Sequence, residues 1–328
     1  MKKCRVAVVG ATGMVGQTFI QVLEERNFPI ESISFFASER SSNKTIEFHN
    51  QTYMVETLHE HSFDQGFDIA LFSAGGKVSI EYAPIAANAG AVVIDNSSAW
   101  RMNPNVPLIV PEVNAHVLTK DNKIIANPNC STIQSVVALK VIDDLYGIKR
   151  VVYSTYQAVS GSGYKGVKDL EDGYLGSGPT FYPKPIVGNC IPHIDDFLES
   201  GYTKEEMKMV HETKKILGKE LAVTATCVRV PVMIGHSVSI NVECKRSIDI
   251  HQLRAAYEQT EGIVYYPNQT YPTPIDSAGQ DLVYVGRLRI DESVQNGLNL
   301  WVVADNIRKG AATNAIQIAE YLIKEELL

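Results

Sequence analysis

Cys130 is the residue of this chain best placed for covalent chemistry. It stands in Asn127-Pro128-Asn129-Cys130-Ser131-Thr132, after the apolar run Lys123-Ile124-Ile125-Ala126 and before Ile133, Val136, Val137, Val141 and Leu145 at helical spacing. That pattern predicts a strand handing over to a helix, with the thiol at the helix N-terminus. Unpaired backbone N–H groups and the positive end of the helix dipole there favour a thiolate and lower a pKa that is about 8.5 in free cysteine. His236, in Gly235-His236-Ser237 ahead of the strand-like Val238 to Val242, has an imidazole whose usual pKa of about 6.5 suits proton transfer. Arg229 follows the alternating Val223 to Val228 run, and an arginine inside such a strand needs an anion if it is buried. A substrate carboxylate would serve, and so would a structural Asp or Glu. Glu205 and Lys208 lie three residues apart on a helix that Thr203 and Glu206 can open as a capping box. They share a face, and taken alone they read as a surface ion pair worth at most about 1 kcal/mol. Gln157 is uncharged and both donates and accepts, so it can hold a substrate without perturbing a nearby thiolate.

These side chains need two kinds of scaffold. The chain opens with the β-rich Arg5 to Val9, then Gly10-Ala11-Thr12-Gly13-Met14-Val15-Gly16, then a helical stretch through Phe19, Ile20, Val22 and Leu23. Strand, glycine turn and helix in that order let a dinucleotide pyrophosphate rest on the helix N-terminus. The second strand, Ile33 to Ala37, runs into Ser38-Glu39-Arg40-Ser41-Ser42-Asn43-Lys44. An acidic residue near this point selects NAD and an arginine accommodates the 2′-phosphate of NADP, so Arg40 and its hydroxyl neighbours point to NADP, with Glu39 as the competing ribose contact. Strand signals at Ile69 to Phe72 and Ala91 to Ile94 flank a helix-compatible Ser79 to Ala89. The fold class is therefore α/β: an N-terminal Rossmann-like, doubly wound parallel sheet. Beyond the Cys130 helix, Arg150 to Ala158, Leu221 to Val242 and Leu298 to Ala304 are rich in β-branched residues and Ile248 to Thr260 is helical, which predicts an α+β second domain. Gly173 to Pro192 reads as a long ordered loop whose aromatics pack, and Ala311 to Leu328 as a helix that returns to the first domain. The boundaries expected are 1–128, completed by 308–328, and 129–307.

Bulk properties narrow the function. With 328 residues, 45% hydrophobic and 20% charged, the chain is long enough for about two domains with real cores. Its five cysteines are odd in number and lack a Cys-x-x-Cys pair, which argues against a disulfide framework and a metal site and fits a reducing cytoplasm. The first ten residues lack the apolar core of a signal peptide, and no stretch is apolar for long enough to cross a bilayer. A net charge of −7 without a basic stripe disfavours nucleic acid and leaves small-molecule chemistry.

The motif set resembles the aspartate-β-semialdehyde dehydrogenase family along nearly the whole chain. It is carried by Gly10 to Gly16, Ser97 to Met102, Pro111 to Asn114, Asn127 to Thr132, Tyr156 to Gly161, Glu205 to Lys208, Arg229 to Val232 with Gly235 to Ser237, and Asp305 to Gly310. The resemblance implies reduction of L-aspartyl 4-phosphate by NADPH to L-aspartate 4-semialdehyde and phosphate, through a thioester on Cys130 with His236 as acid and base. It assigns Arg101, Lys208 and Asn129 to the phosphate, Arg229 to the substrate α-carboxylate, Glu205 to its amino group and Gln157 to orientation. It implies cofactor contacts at Gly10, Thr12, Gly13, Met14, Val15, Ser38, Arg40 and Ser41, and at Ser160, Gly161 and Asn306 near the nicotinamide. A homodimer built on the second domain is implied as well. The chemistry agrees, since a thioester is an acyl group that hydride can attack. Two rivals are a reductase of another acyl donor, such as N-acetylglutamyl phosphate or malonyl-CoA, and a non-catalytic dinucleotide-binding regulator. The Asn-Cys-Ser-Thr context and the Glu205/Lys208 pair weigh against the N-acetylglutamyl substrate, and the presence of Cys130, Gln157, Arg229 and His236 together weighs against the regulator.

Overall fold

A computed structural model describes residues 3–41 and 44–328; Ser42 and Asn43, part of the stretch read as a 2′-phosphate contact, lie outside the described residues. The chain divides into two compact units, Met1–Pro128 with Ala311–Leu328, and Asn129–Gly310.

The first unit is built on a seven-stranded sheet. Strands β1 (Cys4–Val9), β2 (Ile30–Ala37), β3 (Thr45–Phe48), β4 (Gln51–Thr57), β5 (Ile69–Phe72), β6 (Val92–Asp95) and β7 (Ile124–Ala126) lie in the order β3-β4-β2-β1-β5-β6-β7. Every pairing is parallel except β3 with β4. The sheet is the parallel, doubly wound one expected, with that antiparallel hairpin added at one edge. The hairpin's turn is made by His49 and Asn50, both at positive φ. Asn tolerates the left-handed region by local hydrogen bonding, which suits a two-residue hairpin, but a His-Asn pair is a weaker sequence signal than Asn-Gly. The central strands β1, β5 and β6 are buried along nearly their whole length, as expected of a sheet covered on both faces. Helix α1 (Met14–Glu25) buries Phe19, Ile20, Val22 and Leu23 on one side of the sheet, and α2 (Gly76–Asn88) buries Ala83 and Ala86. The short α3 (Pro111–Asn114) precedes β7. The helix Thr313–Lys324 adds Ile316, Ala319, Leu322 and Ile323 to the same core as Phe19, Leu23 and Phe35. Each of the Ile and Leu side chains contributes about 1.5–3 kcal/mol on burial, so this late segment is integral to the unit.

The second unit opens with α4 (Cys130–Tyr146) and continues through β8 (Ile148–Gln157), α5 (Tyr164–Tyr174), α6 (Lys204–Leu217), β9 (Ala222–Arg229), β10 (His236–Cys244), α7 (Ile250–Gln259), β11 (Ile263–Tyr265), β12 (Val283–Asp291) and β13 (Gly297–Ala304). Its six strands lie in the order β11-β12-β13-β10-β8-β9 and mix parallel and antiparallel pairings. Gln157 pairs with Arg229 at the ends of β8 and β9, and β10 begins at His236. The register therefore brings three site residues to one end of the sheet. The loop after α5 is fixed by the buried Asp169, whose carboxylate accepts N–H groups from Thr180, Phe181 and Tyr182. Those bonds outweigh burial and hold the Asp169 carboxyl below its usual range. No helix among the described residues is long and apolar enough to cross a membrane.

Candidate active site

Asn129 is the N-cap of α4, and its Oδ1 accepts the N–H groups of Ser131 and Thr132 at 3.0 and 3.2 Å. This places Cys130 as the first residue of the helix, where the sequence predicts it, and fixes the peptide on either side of the sulfur. Asn129 is itself held from two directions by α6. Its Nδ2 donates to Glu205 Oε1 at 2.8 Å, and its backbone N–H donates to Glu212 Oε2 at 2.6 Å. Glu205, Lys208 and Glu212 follow one stripe of α6, at intervals of a turn or two. The helix is aimed by the Thr203/Glu206 capping box that the sequence predicts, in which Thr203 N–H donates to Glu206 and Glu206 N–H donates to Thr203 Oγ1.

Glu205 and Lys208 do pair, at 3.1 Å, but Glu205 is only 5% exposed, so this is not the weak surface contact that spacing alone suggests. The Glu205 carboxylate also accepts Gln157 Nε2–H at 3.2 Å. Burial alone would raise its pKa, but Lys208, the Asn129 amide and Arg229 outweigh that and keep it below the usual carboxylate range. Lys208 in turn donates to Asp195 at 2.8 Å, and the two carboxylates overcome its own desolvation and raise its pKa. Both groups are charged at neutral pH.

Arg229 closes β9 and is 4% exposed. Its Nη1 donates to the Ala158 carbonyl at 2.6 Å, whereas Nε has no partner. No Asp or Glu among the described residues lies within ion-pair distance of it, but its charge reaches the buried Glu205 carboxylate and helps hold that group's pKa down. Gly161 lies against this guanidinium and against His236. A Cβ at Gly161 would stand 2.9 Å from Arg229 Nη1 and 3.1 Å from His236 Nε2, so this position tolerates no side chain without moving both groups. His236 is fully buried, its Nδ1 accepts the Ala158 N–H at 3.0 Å, and its Nε2 has no partner. Burial, then Arg229, depress its pKa well below the ordinary value. Ser160 and Asn306 are bonded to each other at 3.0 Å, and Asn306 Oδ1 also accepts the Gly235 N–H at 2.9 Å. Thus Asn306 ties the Ser160-Gly161 turn to the strand that begins at His236.

The remaining expected residues belong to the first unit. The glycine turn joins β1 to α1, whose N-cap Gly13 offers no side-chain acceptor to the first-turn N–H groups. A Cβ on Gly16 would fall 2.1 Å from the Gly10 carbonyl oxygen, so helix and strand meet there only through glycine. Thr12 donates to Ser41 across 3.2 Å, bringing Met14, Val15 and the glycine turn next to the short helical turn Glu39–Ser41, where Ser38 and Arg40 are exposed. An open helix N-terminus, a turn bounded by glycines and the exposed Arg40 nearby fit a dinucleotide with its phosphates. Arg101, 8% exposed, donates through Nε to the Asn127 carbonyl and through Nη2 to the Asn96 carbonyl, both at 3.0 Å. Asn127 is locked by Asn314, which donates to its Oδ1 at 2.7 Å.

Residues 5–121 match the model of the semialdehyde dehydrogenase NAD-binding domain and residues 139–309 that of the semialdehyde dehydrogenase dimerisation domain. The aspartate-semialdehyde dehydrogenase of Aquifex aeolicus (strain VF5) is 54% identical over 337 residues, covering 99% of each chain. The chain belongs to the aspartate-semialdehyde dehydrogenase family. Among solved structures, aspartate semialdehyde dehydrogenase II of Vibrio cholerae, complexed with ASA, superposes with a TM-score of 0.96 at 48% identity over 99% of both chains. The aspartate semialdehyde dehydrogenase of Candida albicans, solved with NADP, gives 0.81 at 25% identity and covers 100% of each. As a family member the chain is an oxidoreductase with a Rossmann-type NAD(P)-binding domain.

Sequence reasoning passed over Glu212. It lies in Met209-Val210-His211-Glu212-Thr213-Lys214-Lys215, a stretch that looks like a solvated charged face, yet it is 1% exposed. The only signal was its seven-residue interval from Glu205. Glu212→Ala leaves the Asn129 N–H without its charged acceptor and is expected to cost about 1–3 kcal/mol of stability. Because that N–H belongs to the residue before the nucleophile, kcat is expected to fall about tenfold or more, while Glu212→Gln, which still presents an acceptor oxygen, loses less. Urea denaturation and steady-state kinetics on both variants check this; equal kcat in the two would remove Glu212 from the positioning of Cys130.

Proposed function

We propose that this chain reduces L-aspartyl 4-phosphate with NADPH to L-aspartate 4-semialdehyde and phosphate, and runs the reverse phosphorylating oxidation, on the route to lysine, methionine and threonine. The observation that carries this reading is a thiol at a capped helix start with a buried arginine whose Nε has no hydrogen-bond partner and a buried histidine in the same unit. Cys130 attacks the acyl carbon and phosphate leaves, giving a thioester. When bound, NADPH supplies the hydride that reduces it. The C–S bond then breaks, releasing the aldehyde and restoring the thiolate. Arg229 receives the substrate α-carboxylate, Glu205 its amino group, and Gln157, steadied by Glu205, orients the acyl group. Lys208, Asn129 and Arg101 bind the phosphate, and His236 serves as the general acid and base. The N-acetylglutamyl rival is disfavoured because Glu205, held charged, suits a free ammonium group, which an N-acetylated substrate lacks.

The glycine turn and α1 would hold the pyrophosphate, through Gly10, Thr12, Gly13, Met14 and Val15. Preference for NADP rests on Ser38, Arg40 and Ser41 after β2, where an exposed guanidinium meets a 2′-phosphate. Ser160 and Gly161 would lie by the nicotinamide, with Asn306 supporting them. The domain roles follow: 1–128 with 308–328 for NADP, and 129–307 for catalysis and homodimer formation, the latter in keeping with the description of the matching family model. Five cysteines, none in a disulfide, fit the cytoplasm. The experiment is to supply L-aspartate semialdehyde, phosphate and either NADP or NAD to the purified protein and follow the reduced cofactor. Phosphate-dependent turnover with kcat/KM higher for NADP is expected; no turnover with either cofactor would overturn the assignment.

A further inference from the structure

Strand β13 ends at Ala304, the residue paired with His236 across the sheet, and the chain then turns through Asp305 to Gly310. That turn is fastened by Asp305, which is 3% exposed. Its Oδ1 accepts the N–H groups of Ile307 and Arg308 at 2.8 and 3.0 Å, and its Oδ2 accepts the Gly279 N–H at 2.8 Å. Its carbonyl accepts the Gly310 N–H at 2.9 Å, a bond over five residues that winds the segment wider than an α-helical turn. Arg308 ties the turn to the loop after Gly279 a second time, donating from Nε to Asp281 at 2.8 Å. Within the turn, Asn306 bonds Ser160 and accepts the Gly235 N–H.

The far end of the turn rests on the nucleophile. A Cβ on Gly310 would stand 2.9 Å from Cys130 Cβ and 3.3 Å from Cys130 Cα. Non-bonded carbon atoms settle about 3.5–4.0 Å apart, so only a bare Cα fits there. Gly310 is not among the glycines at positive φ, so its backbone conformation is open to other residues and the contact alone excludes a side chain. The atoms it would meet are bonded to the main chain and cannot rotate away. Any side chain at this position must therefore move the first residue of α4 itself.

We propose that Gly310 and Asp305 are positioning residues for Cys130, the turn that Asp305 pins serving as a spacer between the strand partner of His236 and the base of the nucleophile. The proposal rests on the thioester reaction described above. Neither residue supplies a reacting group, since Gly310 has no side chain and both Asp305 oxygens are committed to backbone N–H groups. Because Asn306 belongs to the same turn, one segment sets both Cys130 and the Ser160-Gly161 loop.

The test begins with steady-state kinetics on variants shown by circular dichroism to be folded. Gly310→Ala displaces Cys130 by about 1 Å and is expected to lower kcat about 10²-fold, the effect of such a misplacement, with KM for aspartate semialdehyde and phosphate within about threefold of wild type. Unchanged kcat, or a loss carried by KM, would overturn the proposal. Asp305→Asn keeps an acceptor oxygen for Ile307 and Arg308, and its kcat is expected to exceed that of Asp305→Ala by about tenfold; equal values would remove Asp305 from the positioning of Cys130. A second arm reads the contact without turnover, so an inactive wild-type protein would refute the proposed reaction separately. Gly310→Ala is expected to lower the melting temperature in the wild-type background and to lower it less in Cys130→Gly, which lacks the Cβ that the new methyl group meets. Equal drops in the two backgrounds would overturn the contact. If Gly310→Ala alone does not fold, folding of the double variant supports the contact and failure of both counts against it.

Discussion

Cys130→Ala is expected to abolish turnover, with kcat lower by about 10⁴-fold or more, because no other group in the second unit can form the acyl intermediate. The remaining buried thiols are poor substitutes. Cys227 is fully buried on β9, where burial, then Glu205, push its pKa far up, and burial raises Cys244 to about 11. The loss should be purely chemical. The Cys130 Cβ is the atom against which Gly310 packs, and alanine keeps it, so the fold should be retained. The measurement is kcat in the oxidative direction together with a thermal melt; activity within about tenfold of wild type in a folded variant would eliminate the thioester. Cys190, which is exposed, should remain the main site of alkylation in that variant.

Arg229→Lys is expected to lower kcat/KM for aspartate semialdehyde by about 10²–10³-fold through KM, leaving KM for phosphate near its original value. A guanidinium presents a planar fork to a carboxylate, and the lysine ammonium cannot reproduce it at the same reach. The expected size is that of removing one partner from a buried, hydrogen-bonded charge pair, about 2–5 kcal/mol. In the structure the fork has a single backbone acceptor, the Ala158 carbonyl, so the remainder of its donors serve a ligand or nothing. Selective weakening of phosphate instead would assign Arg229 to the wrong anion.

How far the sequence anticipates the structure depends on what carries each feature. Hydrophobic period and glycine placement made β1, α1, β5, α4, β8, β10 and α7 legible to within a few residues, since those elements are set by local pattern and buried strongly. The β3–β4 hairpin was not, because its turn is His49-Asn50 and β3 is only four residues long. In the site, Cys130, Glu205, Lys208, Arg229 and His236 stood out by residue type and spacing. Glu212 did not, because a carboxylate in a charged helix looks the same whether it faces water or an N-cap. The Ala158 amide that donates to His236 Nδ1 has no side-chain signature at all, since every residue but proline carries that donor. Arg229 is the intermediate case. Its burial was foreseeable from the strand pattern, but only the structure shows that its Nε has no hydrogen-bond partner and that its charge reaches Glu205.

The first unit takes residues from both sides of the second: its core joins Phe19 and Phe35 to Ile316 and Leu322. On a ribosome, residues 129 to 310 are made before residues 311 to 323, and they are contiguous. The unit that bears the nucleophile can therefore collapse while the nucleotide unit still lacks one helix of its core, leaving Val6, Phe19 and Leu23 partly uncovered during that interval. Chaperone dependence of this chain should accordingly concentrate on its earliest-synthesised segment.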